Sequence, residues 1–379
     1  MCVQKILNNI TCKEYCSNHN FKYSPIKEAH PQRVYIPNYI NEISTSNSIY
    51  VNFPEIYVAE LNNVKLIGGN YIIFDDNNYC IYDLPFMDSE NKFDLRCHET
   101  IAVNKNNTVI CYNETGETIE EGIMLLSGSS YNYSHFQFEV LSKLCLINDI
   151  NEYNDMPIII DDTCLRVPQF QEELQMLNKQ GRKIIPLAMG YSYSIKKLIV
   201  ISDLGVYPCN IKPDFLLKYQ DVVLDDLAVK PINKNLAIES SNIHRKLYIS
   251  RSQSPNSRLQ NQPAVENIFR SFGFEIIFPG SMSFHDQLKT FSEAEVIAGE
   301  SGSGLTNIIF ANKNAKVIFI QPKVIQSPWY SNISGILGLK TYFLDGFLYG
   351  NSHSQYYQSG FVVDENYLKD FLYRLNLSK

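Results

Sequence analysis

Short apolar runs separated by turn clusters fill the first third of the chain. They lie at residues 48–51, 56–60, 70–74 and 79–82, and groups of Gly, Asp and Asn separate them. Runs of this length between turn residues predict β-strands. We therefore expect a β-rich N-terminal region at residues 1–118.

From Glu121 onward, short apolar runs alternate with segments whose apolar residues recur at helical spacing. A run at 122–126 is followed by helical spacing at 134–147, and a run at 157–160 by helical spacing at 169–179. This βαβ alternation is typical of a parallel sheet covered by helices on both faces.

The alternation restarts after a polar stretch at 230–245, which we interpret as an interdomain linker, and a helical pattern at 366–375 ends the chain. We expect an α/β fold in which the β-rich region is followed by two Rossmann-like domains. The first occupies residues 119–240. The second occupies residues 241–379 and includes the terminal helix.

Composition narrows the class of protein. The 379 residues are 45% hydrophobic and 19% charged, which suits a globular chain with a substantial core. The net charge is −7 without a basic block, so we expect no nucleic-acid partner, since such partners are held largely through phosphates. No segment, at the N-terminus or elsewhere, approaches the roughly 18 apolar residues of a membrane helix.

Nine cysteines are scattered between Cys2 and Cys209. Cys12 and Cys16 have no matching pair of Cys or His nearby, so we expect no zinc site. Scattered thiols without partners suit a reducing compartment, and we expect a cytoplasmic protein.

The sharpest local feature is the glycine-rich turn Gly299–Asn307, which joins an apolar strand to a helical pattern. Glycines at 299, 302 and 304 let the backbone approach an anion, and N–H groups at a helix start favour a phosphate. The turn matches neither the G-x-G-x-x-G nor the Walker lysine pattern, so a turn without a ligand stays open as the alternative.

Arg251 follows a predicted strand at 246–250, and Arg258 comes soon after it. An arginine at the carboxyl end of a parallel strand points toward the crevice where such sheets bind ligands. Its planar fork can hold a diphosphate. An ordinary surface arginine is the alternative.

His135 and Glu139 are four residues apart, so they share a face of the predicted helix. A carboxylate in this position can orient an imidazole and raise its basicity, as a general base requires. The alternative is a histidine that caps the helix start.

The pairs Asp161-Asp162 and Asp225-Asp226 each follow an apolar run. Such pairs can hold a divalent cation, but aspartates in this position commonly end strands or cap helices. We expect no metal.

Taken in order, these segments resemble glycosyltransferase family 61, which includes plant xylosyl- and arabinosyltransferases and bacterial capsule and lipopolysaccharide enzymes. The resemblance extends over residues 48–322 and is dense only from residue 245 onward. The residues that carry it are Asn132–Phe136, Glu139, Tyr248–Arg251, Arg258, Asn261, Gly273–Glu275, Ser283, Phe284, Gln287, Phe291, Ala294–Gly299 and Gly302–Asn307.

The resemblance implies a GT-B architecture, in which two Rossmann-like domains face a cleft, and inversion at the anomeric carbon without a metal or another cofactor. It implies that His135, oriented by Glu139, is the base for the acceptor hydroxyl, and that Arg251 helps to neutralise the leaving diphosphate. The donor-binding residues would be Ser250, Arg251, Arg258, Gln287, Glu300, Ser301, Gly302, Ser303, Gly304, Leu305, Thr306 and Asn307.

This chain departs from the family pattern at two points. The family often has His-Gly-Ala-Gly where this chain has Ser301-Gly302-Ser303-Gly304, which removes a leaving-group acid and leaves that task to the backbone and the arginines. It often has Asn-Glu where this chain has Asn261-Gln262, which puts in doubt a carboxylate role there.

The expected partners are a nucleotide sugar, specifically a UDP-sugar, and a glycan or glycolipid acceptor in surface polysaccharide synthesis. A lipid-linked acceptor would bring the chain to the inner face of the membrane, although no segment indicates membrane binding or an oligomeric state. The lack of a signal anchor favours a bacterial or viral enzyme. Two alternatives stay open: a nucleotide-sugar epimerase, and a nucleotide- or glycan-binding protein that has lost catalysis.

Overall fold

The structure is a computed structural model that describes residues 2–39, 48–83, 100–103, 106–206, 210–226, 245–254, 256–324, 327–348 and 359–377. The chain forms two compact units. The first contains Met1–Gln32 and Val51–Val223, and the second contains Arg33–Tyr50 and Leu224–Lys379. Apart from Arg245, the predicted linker lies outside the described residues.

The chain is a mixed α/β protein. Its strands, in chain order, are β1 Cys2–Ile10, β2 Tyr23–Lys27, β3 His30–Tyr35, β4 Ser48–Phe53, β5 Ile56–Ile67, β6 Ile73–Phe74, β7 Tyr79–Ile81, β8 Thr100–Val103, β9 Asn107–Met124, β10 Ile158–Asp161, β11 Ile184–Leu187, β12 Tyr191–Ile201, β13 Gly205–Val206, β14 Asn210–Ile211, β15 Arg245–Ile249, β16 Glu275–Ile277, β17 Ala294–Glu300, β18 Lys316–Gln321, β19 Lys340–Asp345, β20 Phe347–Leu348 and β21 Phe361–Val362.

The α-helices are α1 Cys12–His19, α2 Tyr133–His135, α3 Ser142–Ile147, α4 Pro168–Leu177, α5 Pro213–Asp226, α6 Gln262–Ser271, α7 Phe284–Ser292, α8 Trp329–Leu337 and α9 Glu365–Arg374. A π-helical segment, Phe136–Leu141, joins α2 to α3, and tighter 3-10 turns occur at Asn151–Tyr153, Asp162–Arg166, Pro279–Ser281 and Ser303–Phe310. Of the helices that the structure describes, none has the length and apolarity that crossing a membrane requires.

One mixed sheet organises the first unit. Its strands follow the order β1-β7-β6-β5-β12-β9-β10-β11, with β2 on β5 and β8 on β9. Because β1 also pairs with β9, the pairings close a ring from β1 through β7, β6, β5, β12 and β9. Buried side chains of these strands, among them Leu7, Phe74 and Tyr112, form one core cluster.

The parallel sheet predicted for residues 119–240 is only part of this sheet. Strands β12, β9, β10 and β11 are parallel neighbours, but β12 pairs on its other side with antiparallel β5. A predicted boundary, between residues 118 and 119, falls inside β9. That strand continues through a polar stretch which gives no strand signal in the sequence.

The expectation of unpaired thiols is wrong for Cys2 and Cys111, which form a disulfide. These residues meet because β1 and β9 pair in antiparallel register, with Gln4 opposite Cys111. Pairing over this sequence separation is set by tertiary structure, so the spacing of cysteines could not predict it. Free, buried cysteines in the described part of the chain are Cys12, Cys16, Cys80, Cys145 and Cys164.

A five-stranded parallel sheet, in the order β16-β15-β17-β18-β19, organises the second unit. Its side chains alternate between two buried faces. On one face, Tyr248 and Val296 pack in a cluster with residues of α6 and α9. On the other, the ring of Phe319 stacks on Tyr330 of α8 with centroids 5.1 Å apart. This sheet and its helices agree with the pattern predicted for residues 241–379.

Residues 33–39 belong to the second unit, which the sequence analysis did not anticipate. The Tyr35 N–H donates to Asn332 Oδ1 at 3.2 Å, and the hydroxyl of Ser331 donates to the Tyr35 carbonyl at 2.8 Å. Gly335 is required beneath this segment because an added Cβ would lie 2.1 Å from the Tyr35 ring.

Glu173 on α4 is a carboxyl buried in the first unit. It accepts hydrogen bonds from Gln137 Nε2 and the Tyr219 hydroxyl, each at 3.1 Å. Burial raises the pKa of Glu173 to about 8, against the lowering effect of these donors. The carboxyl is therefore largely protonated at neutral pH.

Glu173→Gln should remove a pH-dependent loss of stability. The carboxyl has an ordinary pKa of 4.5 in the unfolded chain and about 8 in the folded one, so its contribution falls as the pH rises through this interval. At about 1.4 kcal/mol per pKa unit, the titration of Glu173 should lower the free energy of unfolding of the wild type by about 2 to 3 kcal/mol between pH 6 and pH 9. The variant should not show this loss. Urea unfolding at both pH values measures the difference.

The control is Glu172→Gln, which changes a partly exposed carboxyl of the same helix. It should lose stability with pH as the wild type does. If Glu173→Gln also kept the full pH dependence, Glu173 would not be the buried neutral group described above.

Candidate functional site

The second unit has a cleft at the point where the winding of its sheet reverses. The chain passes from β15 to β16 on one side and then to β17, β18 and β19 on the other. Ligands of open α/β sheets bind at the carboxyl ends of the strands at such a switch point. A cleft of about 360 Å³ lies there, lined by residues from 249–254, 278–281 and 300–305.

Two arginines and a buried carboxylate lie together beside this cleft. The side chain of Glu300 is fully buried, and its Oε1 accepts from Arg258 Nε at 3.1 Å and lies 3.6 Å from Arg251 Nη1. Both guanidinium groups also donate to the Ser301 carbonyl, Arg251 at 3.0 Å and Arg258 at 2.6 Å. One carboxylate thus orients two cations and leaves one net positive charge.

Gly302 leaves room for Arg251. A Cβ at residue 302 would lie 2.1 Å from Arg251 Nη1, so any larger residue would displace the guanidinium. Gly299 is needed for a different contact, because its Cβ would lie 2.8 Å from the Ile249 carbonyl oxygen of the neighbouring strand. The two glycines therefore allow neighbouring parts of the protein to pack closely, in addition to any close approach of a ligand.

The residues predicted to bind the donor divide into two groups. Those in the lining of the cleft are Ser250, Arg251, Glu300, Gly302, Ser303, Gly304 and Leu305. Those outside the lining are Arg258, Gln287, Ser301, Thr306 and Asn307.

The second group supports the cleft from behind. Buried Asn307 donates to Gln287 Oε1 at 2.5 Å, and Gln287 Nε2 donates to the Pro279 carbonyl at 2.9 Å. The Ser301 hydroxyl donates to Gln321 Oε1 at 2.7 Å, so it faces the interior. These contacts fix the backbone of the two loops that border the cleft, those of Pro279 and Ser301.

The helical pattern predicted after the glycine-rich turn is a 3-10 helix, Ser303–Phe310. The Leu305 N–H donates to the Gly302 carbonyl at 2.9 Å, which is the shorter 3-10 spacing. Apolar spacing over so few residues does not separate the two helix types.

Gln262 stands where the family pattern often has a glutamate. In the amide orientation that satisfies both of its ends, Gln262 Oε1 accepts from the N–H groups of Arg251 at 3.0 Å and Ser252 at 3.1 Å. An acceptor at this position therefore holds the backbone of the Arg251 loop, and an amide fulfils this role as a carboxylate could.

In the first unit, the structure brings His135 and Glu139 together as predicted. His135 Nδ1 lies 2.6 Å from Glu139 Oε1, and the two side chains are 18% and 23% exposed. A carboxylate on Nδ1 favours the tautomer with the proton on that nitrogen and the lone pair on Nε2. This is the form of imidazole that can accept a proton.

The alternative in which His135 caps its helix is wrong. Asn132 is the cap, since its Oδ1 accepts from the Ser134 N–H at 3.1 Å. His135 is the third residue of α2 and directly precedes the π-helical segment that contains Glu139. Such π-helical turns are frequent at functional sites.

Of the two aspartate pairs, Asp161 and Asp162 are engaged with the protein. Asp161 is buried and accepts from the Gly69 N–H and the Ser130 hydroxyl, and Asp162 pairs with Arg166. The pair at 225 and 226 lies in the last turn of α5. Among the residues that the structure describes, no three His, Cys, Asp or Glu side chains are grouped as a metal would need.

Two parts of these sites were not predicted from the sequence. One is the loop Pro279–Ser281, which lines the cleft beside the glycine-rich turn. The Pro-Gly dipeptide after a predicted strand was the available signal. The other is Ser127, whose hydroxyl donates to Glu139 Oε2. No motif marks it, because the contact depends on the end of β9 lying against the helix.

Comparison with known proteins gave a family match. The family model for Glycosyltransferase 61 matches residues 133–318, from the helix of His135 to β18. No curated protein gave a significant match. The matched span contains His135, Glu139 and all the residues predicted to bind the donor. Residues 133–318 are therefore similar to glycosyltransferase family 61, and this similarity supports glycosyltransferase activity with a sugar donor and a glycan acceptor.

Proposed function

We propose that the chain is an inverting, metal-independent glycosyltransferase whose donor, a nucleotide sugar such as a UDP-sugar, binds in the cleft of the second unit. The observation that carries this is the cleft itself. It lies at the switch point of a parallel sheet, with Arg251 and a glycine-rich turn in its lining. The switch point is the usual place for a nucleotide in such a sheet.

The charge of the cleft suits a diphosphate. Arg251 offers a planar fork of donors, and Ser303 and Gly304, at the start of the 3-10 helix, also line the cleft. Since Glu300 cancels one of the two nearby guanidinium charges, the ligand meets a moderate positive field. In this proposal, Arg251 takes the share of phosphate neutralisation that a divalent cation has in metal-dependent transferases.

The first unit supplies the base in this proposal. Direct displacement needs a group that removes the proton of the acceptor hydroxyl while the diphosphate leaves. His135, with Glu139 on Nδ1, has the chemistry for this step. A single displacement by the acceptor inverts the anomeric carbon.

The remaining details rest on the family resemblance. They are the GT-B arrangement, a glycan or glycolipid acceptor in surface polysaccharide synthesis, and a cytoplasmic location at the inner membrane face. Transfer of the sugar to an added acceptor, in place of isomerised donor, distinguishes this function from that of a nucleotide-sugar epimerase.

Arg251→Ala should abolish nucleotide binding. With EDTA present, UDP or one other nucleoside diphosphate should stabilise the wild type by about 2.7 kcal/mol at a hundredfold excess over its dissociation constant. The variant should show no such stabilisation in thermal unfolding. Its kcat/KM should fall by a factor equivalent to at least about 3 kcal/mol.

Arg374→Ala is the matched control, because Arg374 is an exposed arginine on α9 outside the cleft lining. It should bind and transfer as the wild type does. Near-normal turnover of Arg251→Ala would rule out the proposed role of this arginine, and stabilisation lost in EDTA would contradict metal independence.

Gly302→Ala should weaken donor binding without unfolding the chain. The added methyl group would collide with the end of a flexible side chain, so the Arg251 guanidinium should move and the backbone should not. Loss of one charged hydrogen bond, about 1.5 to 3 kcal/mol, predicts an affinity at least about tenfold lower. Isothermal titration with the nucleoside diphosphate found in the screen measures it.

Gly304→Ala is the control for the glycine-rich turn. Its Cβ would lie 3.5 Å from Ile249 and Pro279, an ordinary packing distance, so no neighbour has to move. The control should therefore leave Arg251 in place and lose less affinity than Gly302→Ala. Equal affinities of Gly302→Ala and the wild type would show that the position of Arg251 does not matter for binding.

His135→Ala should separate catalysis from donor binding. Loss of a general base costs about 10² to 10⁴ in rate, whereas donor binding in the second unit should be unchanged. The assay measures transfer from the identified nucleotide sugar to a panel of p-nitrophenyl glycosides. His285→Ala, at an exposed histidine on α7, should transfer normally. Wild-type transfer by His135→Ala would refute the role of His135 as base.

A further inference from the structure

We propose that Ser127, Ser130 and Asp161 are positioning residues that hold Glu139, and through it His135, in the orientation needed for proton transfer. The proposal rests on the role of His135 given under the proposed function. It assigns a purpose to a hydrogen-bonded chain that runs from the helix of His135 to the carboxyl ends of two neighbouring strands.

The first link fixes the carboxylate of Glu139 at both oxygens. Oε1 lies 2.6 Å from His135 Nδ1, and Oε2 accepts from the hydroxyl of Ser127. The Ser127 oxygen in turn accepts from the Ser129 N–H at 3.2 Å, which directs its own proton toward Glu139. A carboxylate held at both ends cannot rotate, so the imidazole plane is fixed as well.

The second link fixes Ser127. Its N–H donates to Ser130 Oγ at 3.2 Å, and the Ser130 hydroxyl donates to Asp161 Oδ2. Asp161 Oδ1 accepts from the Gly69 N–H. Ser130 Oγ also lies 2.7 Å from the Ser127 carbonyl oxygen, so its one proton is shared between that carbonyl and Asp161.

The hydrogen-bonded chain from His135 ends on rigid parts of the first unit. Ser127 follows β9 and Asp161 ends β10, and these parallel strands are paired with Ile159 opposite Met124. Gly69 lies in a turn with φ of +79°, next to Gly68, whose Cβ would lie 2.3 Å from the Ala188 oxygen. The turn therefore cannot shift without breaking its contact with residue 188.

Glu139 lies in the π-helical segment Phe136–Leu141, where the spacing of backbone hydrogen bonds differs from that of a regular helix. Ser127, which lies outside this segment, anchors its side chain. Asp161, considered above as a metal ligand, thereby gains a role that requires no cation.

The proton balance is simple. The acceptor hydroxyl gives its proton to His135 Nε2, its oxygen bonds to the anomeric carbon, and the diphosphate leaves with the electron pair of the broken bond. The imidazolium that forms is stabilised by ionised Glu139. The Ser127 hydroxyl donates to the other oxygen of this carboxylate.

Ser127→Ala tests the first link. We expect kcat for transfer to fall by about tenfold to a hundredfold, as for misorientation of a catalytic group, while the KM for the donor and the melting temperature stay near wild type. Ser127→Thr restores the hydroxyl and should recover most of the lost kcat. Ser129→Ala, in the same loop, should behave as the wild type, since only its backbone belongs to the chain.

Asp161→Asn tests whether the links act as one chain. It should lower kcat in the same direction, and the double variant with Ser127→Ala should lose little more than Ser127→Ala alone. Additive losses, a Ser127→Ala variant with normal kcat, or a loss that threonine fails to rescue would each overturn the proposal. If His135→Ala is inactive but Ser127→Ala is normal, only this proposal fails. If His135→Ala is active, the proposed base fails first.

Discussion

The parallel pairing of β15 with β17 is the constraint on which the second unit depends. Segments that follow these strands leave toward opposite sides of the sheet, so a gap opens between them at the carboxyl ends. The same pairing brings the loop of Arg251 against the turn of Gly302, and both glycines at 299 and 302 are dictated by that closeness. The cleft and its charge follow from how two strands meet.

Three buried carboxyls show how differently one chemical group can be used within the chain. Glu300 is held beside arginines, Asp161 receives N–H and O–H donors, and Glu173 has neutral partners and a raised pKa. The first orients cations, the second anchors a loop, and the third keeps its proton. Environment, and not residue type, decides each role.

The sequence predicted most elements of the second unit and several of the first, such as β5, β10 and α4, but not how the strands of the first unit pair. Apolar strands such as β17 and β18, which are buried on both faces, carry a strong local signal. The first unit depends on long-range pairing: β9 continues through a polar stretch, and β12 joins strands of both orientations. Local spacing contains no information about such partners.

The same distinction holds for the sites. His135 with Glu139, and the glycine-rich turn, were found because each is contiguous or helically spaced. Ser127 and the Pro279 loop were missed, because they reach their sites through the ends of other strands. Gln287 and Asn307 were identified as ligand contacts, and the structure gives them a supporting role behind the cleft wall.

Arg33–Tyr50 belongs to the second unit, and this limits how the architecture can evolve. The chain passes from one unit to the other at residues 32, 50 and 223, and not once as in a simple tandem of domains. A gene fragment that encodes only residues 224–379 would omit the segment that covers Gly335 and pairs with Asn332. The two units cannot be recombined as independent modules, and exchange of donor or acceptor specificity should proceed by changes within loops.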